Sequence, residues 1–351
     1  MTGEIKSRSG QLSIIAGRSV LRKLLLQLAC LIGAIGSLHA EGHPDGTKKL
    51  SSLKMDTLIV APDGSGAFTS IQKAIEAAKA YPLNRTVIYI KAGIYKEQVR
   101  IPAWNPDISL IGEDREKTVI EFGSFFDQVA KGRNSTFYTA TLSVEAPRVI
   151  LKHLSIVNDA GPVGQAIALS VSQDQCLIED CNIKGNQDTF FATGRRTHVY
   201  LNNCFISGTT DFLFGDATVL VHHSTILCQA NSYIVAASTS QGQAFGFVLD
   251  HCTILAATGV KEVYLGRPWR PYAKTVYLNT RMGPFIQPAG WNNWSSKANE
   301  STAYYAEYNS QGPEGKLPVA NRAGWSHQLQ KPEADRYTAR AVLGDWVNHL
   351  P

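Results

Sequence analysis

Beyond residue 40 the chain has no Cys-x-x-Cys pair and no His-x-x-x-His spacing, so a zinc site is not expected. No cluster of carboxylates suggests a calcium cage, and no apolar run approaches the roughly 20 residues a membrane helix needs. Neither a metal nor another cofactor is expected. Five cysteines lie beyond residue 40 (Cys176, Cys181, Cys204, Cys228 and Cys252), and an odd count does not suggest a fully paired disulfide framework. No Pro-, Gly- or Ser-rich linker divides the chain into two domains.

Charge of one sign is also scarce once the N-terminus is set apart. Lys6, Arg8, Arg18, Arg22 and Lys23 make a basic start, the apolar stretch Leu24 to Leu38 follows, and Ser37-Leu38-His39-Ala40 ends on a small residue. That order of features is expected of a signal peptide over residues 1–40, followed by a short linker over 41–55. The remainder carries 29 basic and 28 acidic residues, a net charge of +1. The overall +5 is therefore mostly leader, and no nucleic-acid footprint is left. A secreted protein, extracellular or periplasmic, with no stable membrane insertion is expected.

What the chain does have is repetition. Val149-Ile-Leu-Lys-His-Leu-Ser-Ile156 returns as Leu177-Ile-Glu-Asp-Cys-Asn-Ile183, Val199-Tyr-Leu-Asn-Asn-Cys-Phe-Ile206 and Leu220-Val-His-His-Ser-Thr-Ile226. Phe247-Val-Leu-Asp-His-Cys-Thr-Ile254 and, more loosely, Val276-Tyr-Leu-Asn-Thr-Arg-Met282 continue it. Aligned on Leu154, Cys181, Cys204, Ser224, Cys252 and Arg281, the steps are 27, 23, 20, 28 and 29 residues. Each unit reads as an apolar strand, a polar Asp/Asn/His corner and a second short strand. Unequal repeats of this length predict an all-β, single-domain, parallel β-helix, in which each coil buries its apolar face by stacking on the next. The repeated cysteines then form an interior ladder of small apolar side chains. Ahead of the repeats, Thr69 or Ser70 caps a helical pattern (Ile71, Ala74, Ile75, Ala78) that ends before Pro82 and closes the open end of the solenoid. The last fifty residues, with Trp325 and Trp346, are expected to pack along the outside.

Two segments break the regularity. Gln187-Asp188-Thr189 and Gly208-Thr-Thr-Asp211-Phe-Leu-Phe-Gly215 each follow the Ile that ends a repeat by about the same distance. Stacked coils lie about 4.8 Å apart, so Asp188 and Asp211 are expected to be neighbours. Two carboxylates that close have their pKa values driven apart, one ionised as a nucleophile and the other protonated as a general acid. A plain ladder of corner carboxylates would give the same pattern. Arg267, in Leu265-Gly-Arg267-Pro-Trp269, favours the first reading, because a guanidinium fork beside Asp211 would hold it ionised. Trp269 offers a flat face for a sugar ring, or simply core packing. Gln165 lies one coil before Gln187, and the two amides could donate to a developing oxyanion.

These segments resemble the pectin methylesterases, a carbohydrate esterase family of right-handed β-helices. The resemblance runs from about Asp56 to Asn309 and rests on six motifs in the family's order. They are Gly93-Ile-Tyr95-Lys-Glu97, Gly164-Gln165-Ala166-Ile-Ala168-Leu169, Gln187-Asp188-Thr189-Phe190, Gly208-Thr-Thr-Asp211-Phe-Leu-Phe-Gly215, Leu265-Gly-Arg267-Pro-Trp269 and Gly290-Trp291-Asn-Asn-Trp294. The resemblance implies a catalytic domain over 56–351 that hydrolyses the methyl esters of galacturonate in pectin. It gives Asp211 the role of nucleophile, Asp188 that of acid and then base, and Gln187 with Gln165 that of oxyanion donors. Arg267 becomes the partner of Asp211, and Trp269, Trp291 and Phe191 become residues of the sugar cleft. The implied partner is methylated homogalacturonan, bound by a monomer.

Two departures stand out. Asp188 and Asp211 are 23 residues apart, slightly more than in the plant members, and Thr193-Gly194-Arg195-Arg196 is the expected seat of the extra residues. Phe191 stands where many members have Tyr. The alternatives are a β-helix esterase or thioesterase of another substrate, and a non-catalytic carbohydrate-binding β-helix. The tryptophans disfavour the first, and the complete set Asp188, Asp211 and Arg267 disfavours the second.

Overall fold

In the computed structural model the described residues are 56–317 and 319–350. The expected signal peptide and linker lie outside them. Short strands rich in Val, Ile and Leu, often in consecutive buried positions, recur three to a coil and form three sheets. The first has eleven strands, from Asp56–Val60 through Cys176–Glu179, His198–Asn202, Thr218–His222 and Phe247–Asp250 to His327–Gln328. The second has seven, from Gly93–Lys96 to Thr253–Ala256, and the third seven, from Val99–Ile101 to Tyr264–Gly266. Through the repeats a strand pairs in parallel with its counterpart three strands on, so the chain winds as a parallel β-helix.

The repeat phrase supplies the first sheet, the corner and the second sheet of each coil. Its closing isoleucines stack in register as Ile156, Ile183, Ile206, Ile226 and Ile254, all buried. Burying each removes apolar surface worth about 1.5–3 kcal/mol, but only because a neighbouring coil supplies the cover. The polar corner residues His153, Asp180, Asn203, His223, His251 and Asn279 all adopt left-handed backbone, with φ between 47° and 54°. Asn, Asp and His tolerate that conformation better than other side chains, which is why the corners are written in them.

Directly after each corner comes the interior ladder. Cys181, Cys204 and Cys252 are buried free thiols, each with Sγ against two backbone carbonyls. The sequence alignment placed Arg281 in this ladder, and the structure corrects that to Thr280. The first-sheet strands pair Phe247 with Thr275, a step of 28 rather than 29. Thr280 is buried, and its hydroxyl donates to the carbonyls of Leu249 and Leu278 as the thiols do.

The capping helix spans Ile71–Ala77, with Ser70 as N-cap and Ile71, Ala74 and Ile75 buried. Its N-terminus is held by Glu97, whose carboxylate accepts from the Ile71 and Gln72 amides and from the Ser70 hydroxyl. Near the other end, the helix Ala339–Leu343 lays Val342 and Leu343 against Leu220, Val248 and Val276 on the outer face of the first sheet.

Candidate active site

The strands Asn182–Lys184 and Phe205–Gly208 pair with an offset of 23 residues, and so do Phe190–Ala192 and Leu213–Gly215. The turns between them are therefore equal in length, and Asp188 and Asp211 fall at the same position of adjacent coils. The strands Leu169–Val171 and Phe190–Ala192, by contrast, pair with an offset of 21. The two additional residues enter between Ala192 and His198, in the turn through Arg195 and Arg196, where Asp216 accepts from Thr193 and Gly194. The two residues this coil has beyond the preceding one are thus held in a turn away from the Asp188 and Asp211 turns, which stay aligned.

Local chemistry shapes both turns. The Thr189 hydroxyl donates to the carbonyls of Asn186 and Ser207, closing the Gln187-Asp188 turn. Gly208 packs where a Cβ would lie 2.3 Å from the Cβ of Phe212, so the tight approach requires glycine. Asp188 (φ 66°) and Asp211 (φ 51°) both sit in left-handed backbone, a strained arrangement that turns their side chains out of the strand alternation. The Asp188 amide donates to Thr210 O and the Asp211 amide to Tyr233 O, tying each turn to the next coil.

Arg267 follows the strand Tyr264–Gly266 and reaches across to Asp211. Its Nε donates to Oδ1 at 3.0 Å and its Nη2 to Oδ2 at 2.6 Å, a bidentate fork. The guanidinium is clamped between the rings of Tyr233 (3.9 Å) and Trp294 (3.7 Å). The two carboxyls consequently differ. Burial pushes Asp188 well above the usual carboxylate range, the charge of Asp211 pushes it further, and Arg267 opposes only through space. Burial raises Asp211 as well, but there the hydrogen bonds from Arg267 oppose the rise directly. Of the pair, Asp188 carries the larger upward push, and only Asp211 has a cation hydrogen-bonded to it.

The pair opens into a cleft of about 470 Å³ that Gln165, Gln187, Asp188, Asp211, Arg267 and Trp269 all help to line. Gln165 and Gln187 face each other across adjacent coils as a parallel bridge. The helical turn Gly132–Tyr138 supplies Arg133, Asn134, Thr136 and Phe137 along one wall. Phe191 lies one layer beneath, 8% exposed, its ring 4.7 Å from Phe214 and 5.0 Å from Phe137. It supports the aromatic floor more than it forms it.

Trp291 is a correction. It is 2% exposed, packed against Tyr277 and Tyr305 in the interior, and its ring has no face to offer a ligand. Trp294, three residues on, is the tryptophan of that motif that reaches the cleft. Trp294 opens a pair of left-handed residues (Trp294 φ 58°, Ser295 φ 55°), and spacing alone could not tell it from Trp291. Arg133 and Phe137 were also missed, since nothing in the repeat places the loop 132–138 over the coils, and so were Phe214, Tyr233 and Arg270. The Gly93 to Glu97 motif proves structural, with the Tyr95 hydroxyl bonded to the Lys91 carbonyl and Glu97 capping the helix.

Fold and cleft together define a parallel β-helix protein with a stacked aspartate pair, Asp188 half-buried and Asp211 buried, the latter held in an arginine fork. The chain belongs to the pectinesterase family, whose model matches residues 57–345. It is 35% identical over 343 residues to a probable pectinesterase/pectinesterase inhibitor of Brassica napus, covering 93% of this chain and 57% of that one. It is also 35% identical to pectinesterase 2 of Citrus sinensis, covering 82% and 58%. The chain thus spans a little over half the length of these relatives. Among solved structures, the pectin methylesterase from carrot superposes with a TM-score of 0.78 at 29% identity, covering 86% of this chain and 98% of that one. The pectin methylesterase from Erwinia chrysanthemi superposes with 0.73 at 26% identity, covering 84% and 98%.

Proposed function

We propose that the protein hydrolyses the methyl esters of galacturonate in pectin, releasing methanol and pectate. The observation that carries this reading is the asymmetry of the stacked pair, with Arg267 forked onto Asp211 and not onto Asp188. An Asp211 oxygen attacks the ester carbonyl carbon, and the amides of Gln187 and Gln165 stabilise the oxyanion that forms. As the tetrahedral species collapses, the Asp188 proton passes to the leaving oxygen and methanol departs. Asp211 is left in a mixed anhydride with the galacturonyl group. Asp188, now a carboxylate, takes a proton from water, and the resulting hydroxide opens the anhydride. The product leaves as galacturonic acid, which gives its proton to solvent, Asp211 is again a carboxylate, and Asp188 is again protonated.

Trp269 and Trp294 are suited to stack on sugar rings, while Arg133 and Arg270 on the cleft rim suit an anionic polymer. One solved relative is a pectin methylesterase in complex with a hexasaccharide, which supports an oligosaccharide-sized ligand for this chain. Residues 1–40 act as a signal peptide and the mature protein works as a secreted monomer on this reading. Methanol release from highly methylated pectin, run beside an acyl thioester, tests the substrate class. Release from pectin alone is expected, and thioester turnover without methanol release would overturn it.

A further inference from the structure

The corner between the first and second sheets carries a second cluster of chemistry-bearing side chains, away from the third-sheet cleft. His222 ends the strand Thr218–His222 and stacks in register on Asp250, the last residue of Phe247–Asp250 in the next coil. The corner residues that follow, His223 and His251, are brought together by the same step. We propose that His222, Asp250 and His251 form a binding site for a divalent transition metal, Zn²⁺ by preference.

One ligand atom from each of the three lies within 4.8 Å of the others. His251 Nδ1 is 2.8 Å from Asp250 Oδ1, and His222 Nε2 is 3.6 Å from Asp250 Oδ2. Zinc held at about 2.0–2.2 Å in tetrahedral geometry sets its donors roughly 3.4 Å apart; the His222 Nε2–Asp250 Oδ2 separation is close to that value, and the closer His251 Nδ1–Asp250 Oδ1 contact would open to admit the ion. Outer contacts orient the donors. The Tyr200 hydroxyl is 3.2 Å from His222 Nδ1, which leaves Nε2 as the ligand, and Asn279 Nδ2 donates to Asp250 Oδ1. The His223 ring lies 3.9 Å from that of His222 and 5.3 Å from that of His251, a third imidazole at the rim. Two imidazoles and one carboxylate select zinc, copper or nickel over calcium or magnesium. Three protein donors leave one tetrahedral position for water. A bound ion would clip two adjacent coils together and stabilise the folded chain by binding it in preference to the unfolded one.

Isothermal titration of the untagged, chelator-treated protein with ZnCl₂ tests this, with MgCl₂ as control. One Zn²⁺ per chain is expected, with a rise in melting temperature that magnesium does not give. His222→Gln and His251→Asn should each weaken binding at least about tenfold. Asn keeps the left-handed corner at position 251, so folding is preserved, and circular dichroism checks it. His198→Ala, which removes a surface histidine paired with Asp174, should leave binding unchanged. Absence of stoichiometric zinc binding, or unaltered affinity in both the 222 and 251 variants, would overturn the proposal.

Discussion

Asp188 and Asp211 occupy the same position of adjacent coils, both in left-handed backbone, yet only Asp211 is gripped by Arg267. The β-helix repeat makes the two carboxyls neighbours, and a single arginine from two coils further on makes them different.

Asp188→Asn should abolish activity and stabilise the fold at neutral pH. The folded-state pKa of Asp188 is raised above its unfolded value. Its burial therefore costs nothing below the unfolded pKa of about 3.9, and stability is lost as pH rises from there through the folded pKa. Thermal melts of the variant at pH 7 should exceed the wild type by a few degrees, on the order expected for 1 kcal/mol or more in a chain this size. The gain should shrink towards zero near pH 3. A variant that melts below the wild type at pH 7 would contradict the assignment of the proton to Asp188.

Arg267→Lys keeps the charge but loses the fork and the stacking between Tyr233 and Trp294. kcat/KM should fall at least about tenfold. Because Arg267 opposes the burial-driven rise of the Asp211 pKa, the acid limb of the pH profile should move to higher pH. An unmoved acid limb would remove Asp211 as the ionised group.

Trp269 and Trp291 should separate cleanly. Trp291→Ala opens the core beside Tyr277 and Tyr305 and should cost about 3–5 kcal/mol in urea unfolding. Trp269→Ala, at the half-buried cleft wall, should change stability little and raise KM for pectin.

Glu97→Ala deprives the capping helix of the acceptor for two backbone amides and the Ser70 hydroxyl. A loss of about 1–2 kcal/mol is expected, seen as a lower urea midpoint at unchanged slope, with methanol release per folded molecule preserved.

The β-helix was legible because each coil repeats the same strand-corner-strand phrase, and the Asp pair because stacking converts equal offsets into proximity. The ladder slipped by one at Thr280 because the last phrase replaces cysteine with a residue whose hydroxyl does the same work. Trp291 was misplaced because an aromatic residue at a cleft edge and one beneath it have the same composition signal. Arg133 and Phe137 arrive on a loop whose path over the coils no periodicity encodes. The His222, Asp250 and His251 cluster escaped for a related reason, since its donors come from separate coils rather than from one local spacing.

Release of methanol from highly methylated pectin by Asp211→Ala is the most direct measurement. Loss of the nucleophile should reduce the rate at least about a thousandfold while the β-sheet circular dichroism stays that of the wild type. Turnover near the wild-type rate in that variant would contradict the mechanism.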